Sequence, residues 1–136
     1  MRRTFRAMLV AAPLMLTAVG CGSDTIIPST AMLNGTWIRP NQVPGSHETW
    51  TLAVTGNTVA GTGDWSGEAC CGGTITITGG ITNDGVHLDL TFATTQGNPR
   101  PDFHERFDGT LVSQNVLEGV LTPDGATPAE VRMQRQ

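Results

Sequence analysis

The amino-acid sequence predicts an all-β domain, an eight-stranded antiparallel barrel of up-and-down (meander) connectivity. Three observations lead there. From Leu33 onward, apolar and polar residues alternate with period two in segments rich in threonine, valine, isoleucine and tryptophan. That is the pattern of strands with one buried face. Glycine, proline, asparagine or aspartate bounds each segment, as turn chemistry requires. The longest gap between segments is about eight residues, whereas a Greek-key sandwich needs at least one long return connection. A meander leaves two exposed edges, and closing it into a barrel removes both.

The elements follow in order. Residues 1–20 place Arg2, Arg3 and Arg6 ahead of an apolar run from Ala7 to Val19. A basic head followed by a core too short to span a bilayer describes a signal peptide for export. The ending Ala18-Val19-Gly20-Cys21 resembles a bacterial lipobox, which implies cleavage before Cys21 and a lipid anchor on that residue. The alternative is an ordinary secretory signal cut near Gly20. Gly22, not an aspartate, follows Cys21; by resemblance to sorted lipoproteins this implies the outer membrane of the bacterial envelope. Arg2-Arg3-Thr4-Phe5 also resembles part of a twin-arginine signal, a route ranked below the general one. Residues 21–32 are small and polar apart from two isoleucines, a proline and a methionine, and read as a lipidated flexible tether.

Residues 33–136 form the barrel domain. Strands are expected near 33–39, 47–54, 58–65, 74–81, 86–93, 103–112, 116–122 and 129–135. The clearest is Val86-His87-Leu88-Asp89-Leu90-Thr91-Phe92, in which apolar and polar residues alternate without a break. Tight hairpins are expected at Gly56-Asn57, Asn83-Asp84-Gly85 and Ser113-Gln114-Asn115. The four remaining connections, 40–46, 66–73, 94–102 and 123–128, are longer. Successive connections in a meander alternate between the two ends, so one end collects every long loop. The tether enters at the hairpin end, and the long-looped mouth then faces away from the membrane. Function tends to collect on such loops, although long loops are also tolerated insertions.

Leu33-Asn34-Gly35-Thr36-Trp37 resembles the Gly-x-Trp opening of the first strand in lipocalins and avidins, the calycin barrels. That resemblance implies an eight-stranded meander holding a small ligand, and an arginine of the last strand, Arg132 or Arg135, packed on Trp37. Strand parity points Trp37, Trp50, Trp65, Phe92 and Phe103 inward in the mouth half. Val54, Val59, Val86, Leu88, Leu111 and Leu117 point inward in the hairpin half, with Phe107 a lower-lying aromatic. Such rings either fill a narrow barrel or line a pocket at its mouth. Gly61, Gly63 and Gly109 share the inward parity and either leave room or accommodate rings. Glu48 and Glu105 fall on the same inner face, where a carboxylate needs water, a partner or a raised pKa. Pointing inward beside tryptophans, they suit a cationic or amine-bearing ligand.

Three cysteines are present: Cys21, Cys70 and Cys71. With Cys21 lipidated, Cys70 and Cys71 remain as neighbours in the second mouth loop of an exported protein, where oxidation is favoured. A vicinal disulfide strains its ring, because adjacent alpha carbons stand only about 3.8 Å apart across a trans peptide. Gly72-Gly73 give the backbone the freedom to turn. Separate thiols, an intermolecular bond, redox work and a metal site are the alternatives. A thioredoxin-type couple wants Cys-x-x-Cys at a helix start. His47 and His104 have outward parity on opposite sides of the barrel, which disfavours zinc.

All eight basic residues are arginine, and three lie in residues 1–20, leaving five against twelve carboxylates and a net charge of about −7. That sign repels phosphate backbones and anionic head groups, so nucleic acid is not an expected partner. Gly63-Asp64-Trp65-Ser66-Gly67 is not a Gly-x-Ser-x-Gly elbow, and no zinc-protease helix or phosphate loop is present. Asn83-Asp84-Gly85 lacks the other positions of a calcium loop. His87, Asp89, His104, Arg106 and Asp108 read as a solvated outer wall. No catalytic residue, metal or cofactor is expected. The expected function is binding of an apolar or amphipathic small molecule at the mouth. The alternative is a ligand-free envelope module that contacts another protein through its loops or outer wall.

Overall fold

The computed structural model describes residues 30–40, 44–67, 71–97 and 101–136. It is a closed barrel of eight strands, each antiparallel to the next in sequence. The strands are β1 (Gly35–Ile38), β2 (His47–Thr55), β3 (Thr58–Ser66), β4 (Gly72–Thr82), β5 (Gly85–Gln96), β6 (Phe103–Ser113), β7 (Val116–Pro123) and β8 (Ala129–Arg135). β1 pairs with β8 through Trp37↔Arg135 and Ile38↔Gln134, and this short seam closes the cylinder. The expected signal peptide, Cys21 and the expected tether up to residue 29 lie outside the described residues. The last three residues of the expected tether, Thr30–Met32, form a 3-10 turn, and Met32 packs against the core.

The period-two pattern reads directly as burial. In β5, Val86, Leu88, Leu90 and Phe92 are buried. In β4, Ile75, Ile77 and Ile81 are buried while the intervening threonines face out. Val59, Leu111, Leu117, Val131 and Met133 complete one contiguous core, in which each fully buried aliphatic side chain contributes roughly 1.5–3 kcal/mol. Trp50 and Phe107 meet edge to face at 5.4 Å near its middle. Gly109 makes room for that ring: a Cβ there would stand 2.3 Å from Phe107 Cζ. Of the two roles open to an inward glycine, Gly109 serves the second, accommodating an aromatic neighbour.

The two ends differ as the spacing predicts. Two-residue turns join β2 to β3, β4 to β5 and β6 to β7, and every longer connection lies at the other rim. The chain enters at the hairpin end. Arg135 Nε donates to the Gln114 carbonyl of the β6–β7 turn at 3.1 Å, and its other nitrogens donate to the carbonyls of Asn34 and Met32. The same guanidinium lies 4.7 Å from the centre of the Trp37 ring. Of the two arginines that the calycin resemblance offered, Arg135 packs on Trp37. Arg132 instead pairs with Glu118 on the outer wall. Gly35 is part of the same knot. Its φ is +127°, and a Cβ on it would lie 2.9 Å from Arg135 Nη1, so a side chain here would be strained and would crowd the arginine.

Candidate functional site

At the long-looped end, a cavity of about 260 Å³ opens between the strand ends. β2 supplies Glu48 and β3 supplies Trp65, which face each other in register. β5 and β6 supply Phe92 and Phe103, also in register. Their rings stack at 4.6 Å with an interplanar angle of 10°. Trp65 sets its edge against both, at 6.2 Å and 5.6 Å. Glu105 stands two residues along β6 from Phe103, between Leu90 and Pro123 of the flanking strands. Leu121, Pro123 and Ala129 form the opposite wall.

The two carboxylates have different surroundings. Glu48 is 5 % exposed and each of its carboxylate oxygens accepts a hydrogen bond. Trp50 Nε1 donates to Glu48 Oε1 at 2.8 Å, and Arg39 Nη1 donates to Oε2 at 3.2 Å. The Arg39–Glu48 pair is internally neutral, with both partners largely withdrawn from water. Glu105 is only partly buried and, among the described residues, forms no ion pair. Burial, reinforced by repulsion from Glu48 and opposed by Arg39, pushes its pKa up to about 7. Two further groups are unmatched: among the described residues, the buried Trp65 Nε1 and Thr94 Oγ1 have no hydrogen-bond partner.

The sequence-derived site residues therefore divide. Glu48, Trp65, Phe92, Phe103 and Glu105 come together around the cavity. Trp37 and Trp50 do not line it; both are fully buried. The expectation that all three tryptophans lie in the mouth half is corrected for Trp37. β1 is only four residues long and starts at the hairpin end, so Trp37 stays beside Arg135, and its Nε1 donates to the Leu33 carbonyl at 3.0 Å. Trp50 reaches the cavity only through its bond to Glu48. The residue that sequence reasoning missed is Arg39. It lies two positions beyond Trp37 and so shares its inward parity, which was the signal available, but it falls past the end of β1 where alternation is weakest.

Cys71 closes the second mouth loop and is 6 % exposed; its carbonyl accepts from Gly67 N at 2.7 Å. Cys70 lies outside the described residues. Among the described residues, no cluster of three potential metal ligands occurs.

The outer wall carries polar networks of its own. His87 Nδ1 bonds Asp108 at 2.6 Å and its Nε2 lies 3.0 Å from Thr82 Oγ1. The Asp108 bond raises the His87 pKa against the opposing effect of desolvation, with Asp84 adding in the same direction. Asp84 is held low, chiefly by the Thr82 hydroxyl. At the mouth rim, His47 bridges Ser66 and Asp64, each at 2.7 Å. Such a chain resembles a nucleophile, base and orienting acid. Here His47 and Asp64 are both more than half exposed, and the Gly67 N–H that follows Ser66 is already bonded to Cys71. Those amides supply no oxyanion donor beside Ser66.

Comparison with protein-family models, with curated proteins and with solved structures found no match.

Proposed function

We propose that this chain is an exported, lipid-anchored barrel that binds a compact apolar or amphipathic small molecule at its mouth. The observation that carries the reading is the cavity itself. Below it the barrel is packed solid with aliphatic side chains and the Trp50–Phe107 pair; above that level, aromatic rings and two carboxylates enclose about 260 Å³ of space. That lies just under the usual range of roughly 300–1,000 Å³ for ligand pockets, so the ligand is small. The closed meander, Gly35-Thr36-Trp37 and the Arg135–Trp37 contact all agree with the calycin resemblance, and with it a role in holding small molecules.

The leader and the lipobox-like Cys21 supply the address: the outer membrane, on a lipid anchor. The start of the described chain at the hairpin end fits that placement, because the mouth then points away from the anchor toward arriving ligand. In an oxidising envelope we pair Cys70 with Cys71 as a vicinal disulfide that stiffens the mouth loop.

The test is to titrate the full chain with hexan-1-ol and cyclohexanol while following tryptophan fluorescence and melting temperature. Saturable responses are expected in the wild type, and they should be lost in Ala129→Phe, which fills the cavity wall. No saturable response to either alcohol would overturn the reading. A second reading has an observation of its own. A larger depression of about 580 Å³ lies on the outer wall across β6, β7 and β8. The exposed Val112 and Val120 lie along it, which favours contact with another envelope protein. Under that reading Val120→Arg, and not Ala129→Phe, is the variant that disrupts function.

A further inference from the structure

We propose that the mouth cavity is selective for a small organic cation, a protonated or quaternary amine, seated between Glu105 and the Trp65–Phe92–Phe103 cluster. This rests on the small-molecule reading above and specifies its ligand class.

The argument begins with charge. Four ionisable side chains line the cavity: Arg39, His47, Glu48 and Glu105. Arg39 and Glu48 satisfy each other at 3.2 Å, so the charge of Glu105 is left over. Among the described residues, the other elements packed around Glu105 present no cation to offset it. β5 presents Leu90 and Phe92, β7 presents Leu121 and Pro123, and β8 presents Ala129. His47, at the rim on β2, is already bonded to Asp64 and Ser66. An unpaired carboxylate in an apolar wall is costly, and it takes up either a proton or a counter-cation. The raised pKa of Glu105 is the proton version of that outcome.

The apolar part of the wall fits the same ligand class. Three aromatic rings in mutual contact present both edges and faces, and an alkylammonium beside aromatic faces gains cation–π attraction that grows as water is excluded. A cation bound at Glu105 replaces the proton there. Binding therefore strengthens as pH rises through about 7, whereas a neutral ligand that accepts a hydrogen bond from protonated Glu105 would weaken over the same range.

The experiment uses choline and its uncharged isostere 3,3-dimethylbutan-1-ol, titrated calorimetrically into the full chain at about pH 5.5 and about pH 8.5. Choline is expected to bind more tightly than the alcohol at the higher pH, with its affinity rising by roughly tenfold or more between the two conditions. Glu105→Gln should remove most of that rise. If the alcohol binds as tightly as choline at both pH values, the cation proposal is wrong and the small-molecule reading stands. Should choline give no binding at either pH, the proposal fails too; the small-molecule reading then falls with it only if hexan-1-ol and cyclohexanol are also silent. A pH-dependent choline affinity that survives Glu105→Gln would overturn the role of that residue.

Discussion

Trp50 donates its indole N–H to Glu48 Oε1 across 2.8 Å, two residues apart on the inward face of one strand. Through this bond the packed middle of the barrel holds the floor of the mouth cavity in place. The other Glu48 oxygen takes Arg39, so a buried carboxylate, an indole and a guanidinium form one satisfied unit.

That unit predicts an asymmetric response to substitution at Glu48. Glu48→Gln retains an acceptor for Trp50, whereas Glu48→Ala leaves both the indole N–H and Arg39 without it. The alanine variant should lose about 1–3 kcal/mol of stability by chemical denaturation, and the glutamine variant less. In both, carboxyl NMR should place the Glu105 pKa below its wild-type value of about 7, because repulsion from Glu48 is one of its causes. An unchanged Glu105 titration would break the electrostatic link between the two carboxylates.

Glu105 also makes stability depend on pH. Its folded pKa of about 7 lies above the ordinary 4.5 of a glutamate, so between those values the folded state binds more protons than the unfolded one. Stability from this group is present in full below the unfolded value and is lost as pH rises through the folded value. Because the side chain is only partly buried, solvent screening reduces the effect to roughly 1–2 kcal/mol. Denaturation curves at pH 5 and pH 8 should show that loss in the wild type and not in Glu105→Gln. Parallel pH profiles for the two proteins would contradict the assignment.

The hairpin end is held by Arg135, which joins Trp37 to three backbone carbonyls from two separate parts of the chain. Arg135→Met keeps the apolar stem and removes every one of those donors, and should cost about 2–4 kcal/mol. Arg135→Lys should recover only part, since a single ammonium cannot reproduce the planar fork. Full stability in either variant, measured by urea titration, would show that the closure does not depend on the guanidinium.

His87 offers a further check on the outer wall. Its pKa is raised mainly by the bond to Asp108, so the associated stability is present at low pH and fades as pH rises through the folded value. Proton NMR of the wild type should place the His87 titration above the usual 6.5, and Asp108→Asn should bring it down. A His87 titration unmoved by that substitution would leave its shift without its main cause.

Strand order, register and the sorting of long loops to one rim were all legible in the chain. Period-two alternation needs only neighbouring residues to be read, and two-residue turns leave the next strand a single place to pair. Parity likewise put Glu48, Trp65, Phe92, Phe103 and Glu105 on the inner face before any coordinates. Height along the barrel axis was not legible, because it depends on how the short β1 meets both β2 and β8; Trp37 was therefore placed in the mouth half when it belongs with Arg135. Partnership was not legible either. Arg39 and Glu48 meet because Arg39 carries the β1–β2 register one step past Ile38↔Thr49, whereas the strands flanking Glu105 set Leu90 and Pro123 opposite it. Which carboxylate is neutralised, and which stays open to a ligand, is decided by distances between strand ends that only the closed cylinder sets.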